Sequence, residues 1–128
     1  MAKMEGLAHV GLFTGDIERS VKFYTEILDF EVTERTQFGT TKAAFIKNGN
    51  LVIEILEPEQ KPERADGWFD HIAFDVEGID EIKERLVKKG VVFEQKEAGF
   101  APHAFEKGLK YIFFRGPDGE YLELNEIL

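Results

Sequence analysis

The sequence contains no cysteine, and this one absence removes disulfide scaffolds, thiolate zinc sites and cysteine nucleophiles from consideration. No apolar run approaches the roughly 18 residues a membrane span needs. The opening Met1-Ala2-Lys3-Met4-Glu5 lacks the apolar stretch of a secretory signal, so a soluble cytoplasmic protein is expected. Positive charge is scarce: 16 basic residues face 25 acidic ones, a formal net charge of -9. That balance repels nucleic acid and anionic membrane and leaves a small molecule or another protein as the expected partner. Rings with polar tips are also few, one tryptophan and three tyrosines against twelve phenylalanines. The phenylalanines exceed what a minimal core requires, and some are expected to line an apolar pocket.

What the sequence does contain is a repeat. The segment Gly6-Leu7-Ala8-His9-Val10-Gly11-Leu12 leads to Leu51-Val52-Ile53-Glu54-Ile55-Leu56, and Trp68-Phe69-Asp70-His71-Ile72-Ala73-Phe74 leads to Tyr121-Leu122-Glu123-Leu124-Asn125-Glu126. Each copy starts on a histidine and ends near a glutamate, and duplicated supersecondary units commonly pack around a pseudo-twofold axis. Residues 7–13 read as a strand, Asp16 as the N-cap of a helix with Ile17, Val21, Tyr24 and Leu28 on its apolar stripe. Alternation over 30–35, an apolar run over 41–47 and the Asn48-Gly49 turn before 51–56 supply three more strands. The second copy repeats this order: a strand over 69–76, a helix marked by Ile79, Ile82 and Leu86, and strands over 91–95, 110–115 and 120–127. The modules therefore span 6–57 and 68–127, joined by the polar, proline-containing linker 58–67 within one domain of residues 1–128. The offset between copies is 62 at His9/His71 and 69 at Glu54/Glu123, which places an insertion in the apolar loop 98–108, a candidate lid.

Glu54 and Glu123 sit among aliphatic neighbours, where an uncompensated carboxylate is costly to bury, and His9 and His71 sit in apolar segments too. Taken singly, each has an ordinary explanation, a hydrogen-bonded core histidine or a solvated edge glutamate. Their recurrence at matched positions favours one divalent cation bound by His9, Glu54, His71 and Glu123, whose carboxylates neutralise it while the neutral imidazoles complete the set.

These segments, together with Gly116-Pro117-Asp118-Gly119-Glu120-Tyr121-Leu122-Glu123-Leu124, resemble the vicinal oxygen chelate superfamily over nearly the whole chain. The ligand order His, Glu, His, Glu is similar to its glyoxalase I (lactoylglutathione lyase) branch. The resemblance implies an α+β fold of two βαβββ modules whose curved mixed sheets surround a metal-binding cleft, and a homodimer. It implies nickel, cobalt or zinc as the metal and isomerisation of a 2-oxoaldehyde–thiol hemithioacetal through an enediolate. Glu123 is the expected proton-transfer base, with Glu54 its symmetric counterpart.

Phe13 and Pro58 stand where glutathione-using members usually carry arginine and asparagine, and neither side chain binds a carboxylate. The expectation is therefore a thiol other than glutathione, or a substrate other than the hemithioacetal. Ile53-Glu54-Ile55-Leu56-Glu57-Pro58 is similar to methylmalonyl-CoA epimerases, an alternative enzyme reading. A metal-free antibiotic-binding module is the alternative outside catalysis, and ring-cleaving dioxygenases, with two histidines and one carboxylate on iron, fit the quartet least. Phe13, Phe100, Phe105 and Trp68 are candidate pocket walls and His103 a candidate substrate contact. Asp70 is ranked low as a partner of His71, because neighbouring strand residues point to opposite faces. Lys107 and Lys110 rank as solvated surface charges.

Overall fold

A computed structural model describes residues 2–61, 63, 65–67 and 69–128. Trp68 lies outside these residues. The chain forms two compact units, Met1–Glu63 and Arg64–Leu128, and the class is α+β. In the first, β1 (Val10–Phe13) and α1 (Ile17–Glu26) precede β2 (Glu31–Phe38), β3 (Thr41–Asn48) and β4 (Leu51–Glu57). In the second, β5 (Ile72–Asp75) and α2 (Ile79–Lys88) precede β6 (Gly99–Ala101), β7 (Leu109–Arg115) and β8 (Tyr121–Ile127). The sheet orders are β1-β4-β3-β2 and β5-β8-β7-β6. In each unit the first strand runs parallel to the last, and the remaining pairs are antiparallel.

Side-chain alternation sorts each sheet into two faces. Ile53, Ile55, Ala44 and Ile46 point to the face that carries α1 and are fully buried, together with the helix residues Ile17, Val21 and Tyr24. Ile112, Phe114, Leu122 and Leu124 do the same beneath Ile79 and Leu86 of α2. These two layers are ordinary apolar cores, and each leaves the opposite face of its sheet for other work.

The helices start where they do because acids reach them. Asp16 caps α1, its carboxylate accepting from the Arg19 amide at 3.1 Å, and Glu57 at the end of β4 accepts from the Ile17 amide at 2.6 Å. The start of α2 falls on Gly78, in the left-handed region at φ 79 and without a side-chain cap of its own. Glu126 of β8 supplies it instead, accepting from the Gly78 and Ile79 amides at 2.8 and 3.0 Å. Both acids lie three residues beyond the glutamates of the repeat, at the same offset of 69.

The two amide hydrogen bonds hold the Glu126 carboxyl below the ordinary carboxylate range. A carboxyl whose folded-state pKa is depressed adds stability above its unfolded pKa, and that stability is lost as pH falls through the folded value. Glu126→Gln is therefore expected to lower the melting temperature at neutral pH and to converge with the parent protein as the solution is acidified. Thermal melts across the acid limb check this, and a constant gap at every pH would refute it.

Several expectations change. Residues 91–95 do not form a strand: Phe93 makes one bridge to Phe114, and the outer strand is β6, inside the segment expected to be a loop. The insertion falls after it, since residues 102–108 connect β6 to β7 where Gly39 and Thr40 suffice between β2 and β3. Leu28 lies past the end of α1, which is capped at Ile27. Strand β2 alternates in sequence yet is exposed along its whole length. No helix among the described residues is long and apolar enough to cross a membrane.

Candidate functional site

The parallel ladder at one edge of each sheet determines which side chains meet. Gly11 of β1 is registered with Glu54 of β4, and Ala73 of β5 with Glu123 of β8. A residue two positions earlier projects to the same face, so His9 and His71 are delivered to the two carboxylates. His9 Nε2 lies 3.4 Å from Glu54 Oε1, and His71 Nε2 lies 3.2 Å from Glu123 Oε1. Both histidines precede their strands by one residue instead of lying within them.

The equivalence extends to a third strand. Phe45 of β3 is registered with Glu54, and Phe113 of β7 with Glu123. Their rings meet the imidazoles edge-on, at 5.5 Å and 86° for His9 and 5.4 Å and 90° for His71. Each unit thus presents histidine, glutamate and phenylalanine in a row on the face away from its helix. Opposed lone pairs on Nε2 and Oε1 repel, so each contact needs a proton or a cation to be attractive. An imidazole and a carboxylate, as each unit presents them, are donor types that divalent ions of the transition series accept. Among the described residues no group of three or more histidine, cysteine, aspartate or glutamate side chains is itself arranged to hold a metal, and the donors come in pairs.

The pairs are not identical. The Glu123 side chain is 9% exposed against 15% for Glu54, which makes Glu123 the less solvated carboxylate. Asp70 Oδ2 lies 2.9 Å from His71 Nδ1, contrary to the expectation that the two diverge. Both residues precede β5, where the pleat does not yet apply. Tyr121 stacks on Phe113 at 4.7 Å, and the Arg115 guanidinium lies over the Tyr121 ring at 4.0 Å. Arg115 also donates to Asp66 at 2.9 Å and faces Glu94 at 3.5 Å. The Asp66 hydrogen bond is the main reason its pKa is raised further.

Of the candidate pocket residues, Phe13 projects to the same face as His9 and is exposed. Phe100 is registered with Lys110, on the helix-bearing face, and so lies across its sheet from Glu123. His103 is exposed on the 102–108 connection, as is Phe105, which holds a left-handed backbone at φ 57. Lys110 is paired with Asp80 of α2. Sequence reasoning passed over Phe45, Phe113 and Tyr121. The signal for the first two was available, since each lies opposite the repeat glutamate once the hairpins are registered.

Comparison with known proteins agrees with this duplicated arrangement. The model of the Glyoxalase/Bleomycin resistance protein/Dioxygenase superfamily matches residues 6–124. The chain is 31% identical to the uncharacterized protein YwkD of Bacillus subtilis (strain 168), over 96% of this chain and 98% of that one. It is also 31% identical to a probable lactoylglutathione lyase of Synechocystis sp. (strain ATCC 27184 / PCC 6803 / Kazusa), over 92% of each. A crystal structure of a glyoxalase family protein from Enterococcus faecalis superposes with a TM-score of 0.80 at 30% identity, covering 95% of this chain and 98% of that one. The chain belongs to the Glyoxalase/Bleomycin resistance protein/Dioxygenase superfamily.

Proposed function

We propose that the protein is a metal-dependent isomerase of glyoxalase I type, moving a proton between adjacent carbons of a 2-oxoaldehyde–thiol hemithioacetal. The observation that carries this reading is the pair of register-equivalent imidazole–carboxylate contacts, His9 with Glu54 and His71 with Glu123. The residues fit the metal by their chemistry, two neutral nitrogen donors and two anionic oxygen donors with no thiolate. A divalent cation, nickel, cobalt or zinc, held by His9, Glu54, His71 and Glu123 would supply Lewis acidity next to the reacting C–H.

The chain's own residues supply the rest. Glu123 takes the proton from the hemithioacetal carbon and returns it to the neighbouring carbon, while the hydroxyl proton passes to the former carbonyl oxygen, leaving a 2-hydroxy thioester. Its low solvation suits a base that must not exchange its proton with water in the interval. Glu54 holds the equivalent position in the other module. Phe45 and Phe113 restrict ring rotation of the two histidines. Phe13 stands beside His9 as an apolar wall, with His103 and Phe105 on the connection as further substrate contacts, whereas Phe100 faces the helix side of its sheet. An apolar Phe13 in place of a cation favours a thiol other than glutathione.

The active unit we propose is a cytoplasmic homodimer of one-domain chains, in which covering the exposed β2 edge satisfies its open backbone groups. The Synechocystis relative's name supports the lyase reading. The superfamily name also includes bleomycin resistance, and the stacked Phe113 and Tyr121 would suit sequestration of a flat ligand. Metal analysis and turnover separate the two readings.

The test is to purify the protein without added chelator and measure its metal content. Hemithioacetals of methylglyoxal with glutathione, cysteine and coenzyme A are then assayed before and after metal removal. Stoichiometric metal, and turnover that disappears with chelation and returns with nickel or cobalt, are expected. Full activity in the stripped protein, or no turnover with any thiol, would overturn the isomerase reading.

A further inference from the structure

The two pairs share their geometry, but among the described residues only His71 of the two imidazoles has a carboxylate behind it. Position 8, equivalent to Asp70 at the repeat offset of 62, is alanine. In the second unit Asp70 Oδ2 lies 2.9 Å from His71 Nδ1 while His71 Nε2 faces Glu123 Oε1 at 3.2 Å. Both ring nitrogens face a carboxylate, which only accepts hydrogen bonds; the Asp70 contact is the shorter and has hydrogen-bond geometry, so in the neutral ring the proton is assigned to Nδ1 and the Nε2 lone pair is left for a cation beside Glu123. Phe113 edge-on at 5.4 Å and Tyr121 at 6.3 Å confine the ring from its sides. Among the described residues, the ring contact of His9 is with Phe45.

We propose that Asp70 is a positioning residue that fixes the tautomer and orientation of His71, and so makes the His71–Glu123 pair the preorganised half of the centre. Carboxylate support of a ligating imidazole raises its basicity and holds its lone pair on target, and its loss typically weakens metal affinity by about 10–100-fold. The inference rests on the metal-site reading for that consequence, whereas the tautomer itself is a property of the metal-free chain. Asp70 is exposed, so its removal leaves no cavity and the fold should not change.

The experiment is long-range proton–nitrogen NMR on the metal-free protein labelled at histidine, at a pH where the ring is neutral. It is paired with nickel titration under chelator competition. In the parent chain His71 is expected to carry its proton on Nδ1. Asp70→Ala should release the ring to a mixture of tautomers and lower nickel affinity about 10–100-fold, with an unchanged thermal midpoint. Asp70→Glu should restore the Nδ1 proton at least in part.

A parent His71 protonated on Nε2, or an Asp70→Ala variant with the parent tautomer, would overturn the proposal. If the tautomer depends on Asp70 but the parent chain binds no nickel, cobalt or zinc, the positioning role stands and the metal reading fails.

Discussion

Glu123→Gln is expected to lower kcat for the proposed isomerisation by roughly 10²–10⁴-fold, the range that a positioned general base contributes. At about 1.4 kcal/mol per decade this is roughly 3–5 kcal/mol of transition-state stabilisation. Glutamine keeps the shape and one oxygen but cannot accept a proton at neutral pH. The loss should therefore fall on kcat more than on KM. Glu123 is buried and faces His71, so the amide is accommodated without a cavity and the variant should fold. The companion Glu54→Gln should lose less of its rate, because Glu54 is the better solvated of the two. Solvent deuterium incorporation into product, followed beside the rate, reports which carboxylate carries the proton. If Glu123→Gln retained more than about a tenth of the parent kcat, Glu123 would not be the base.

Phe114→Ala is expected to cost about 3–5 kcal/mol of stability, the usual range for emptying a buried aromatic site. Phe114 is fully buried on the helix-bearing face of its sheet, is registered with Leu122, and packs its ring 5.2 Å from Phe93. Little of this volume can be refilled, because the residues around it are held in strand ladders. Against a typical total of about 5–15 kcal/mol, the loss should leave much of the variant unfolded near body temperature. Val92→Ala, at a position 84% exposed, should stay within about 0.5 kcal/mol of the parent. Urea titrations of the three proteins decide the matter. Equal midpoints for Phe114→Ala and Val92→Ala would show that the second core is not organised around this ring.

The duplicated order of strand, helix and three strands was legible because its signals are local. Asp16 marks the start of a helix, Ile17, Val21 and Tyr24 recur at helical spacing, and the two histidine–glutamate pairs fall at matched points. What escaped was long-range or depended on backbone details. Glu126 caps α2 from a residue 47 positions away, and no window of sequence contains both ends of that bond. Asp70 reaches His71 because the strand begins at Ile72, three residues later than the expected start at Phe69. The run 91–95 looked like a strand by composition, but Phe93 alone bridges to Phe114, while Gly99–Ala101, weak in strand formers, pairs with β7. Gly99 is needed there for space: a Cβ would fall 2.6 Å from the Tyr111 ring. Of the candidate site, the four donors and Phe13 share the helix-free faces of their sheets, whereas Phe100 was misjudged because its face depends on a pairing that composition does not reveal.

Glu57 and Glu126 tie the leading amides of α1 and α2 to the same strands that carry Glu54 and Glu123. A helix anchored this way cannot slide along its sheet without dragging Glu54 or Glu123 out of line with its imidazole. The longer connection 102–108 lies at the opposite end of its sheet, joining the two strands farthest from the parallel edge. The scaffold thereby separates what must stay rigid from what is free to be remodelled, so that rim can vary while the imidazole–carboxylate pairs keep their alignment.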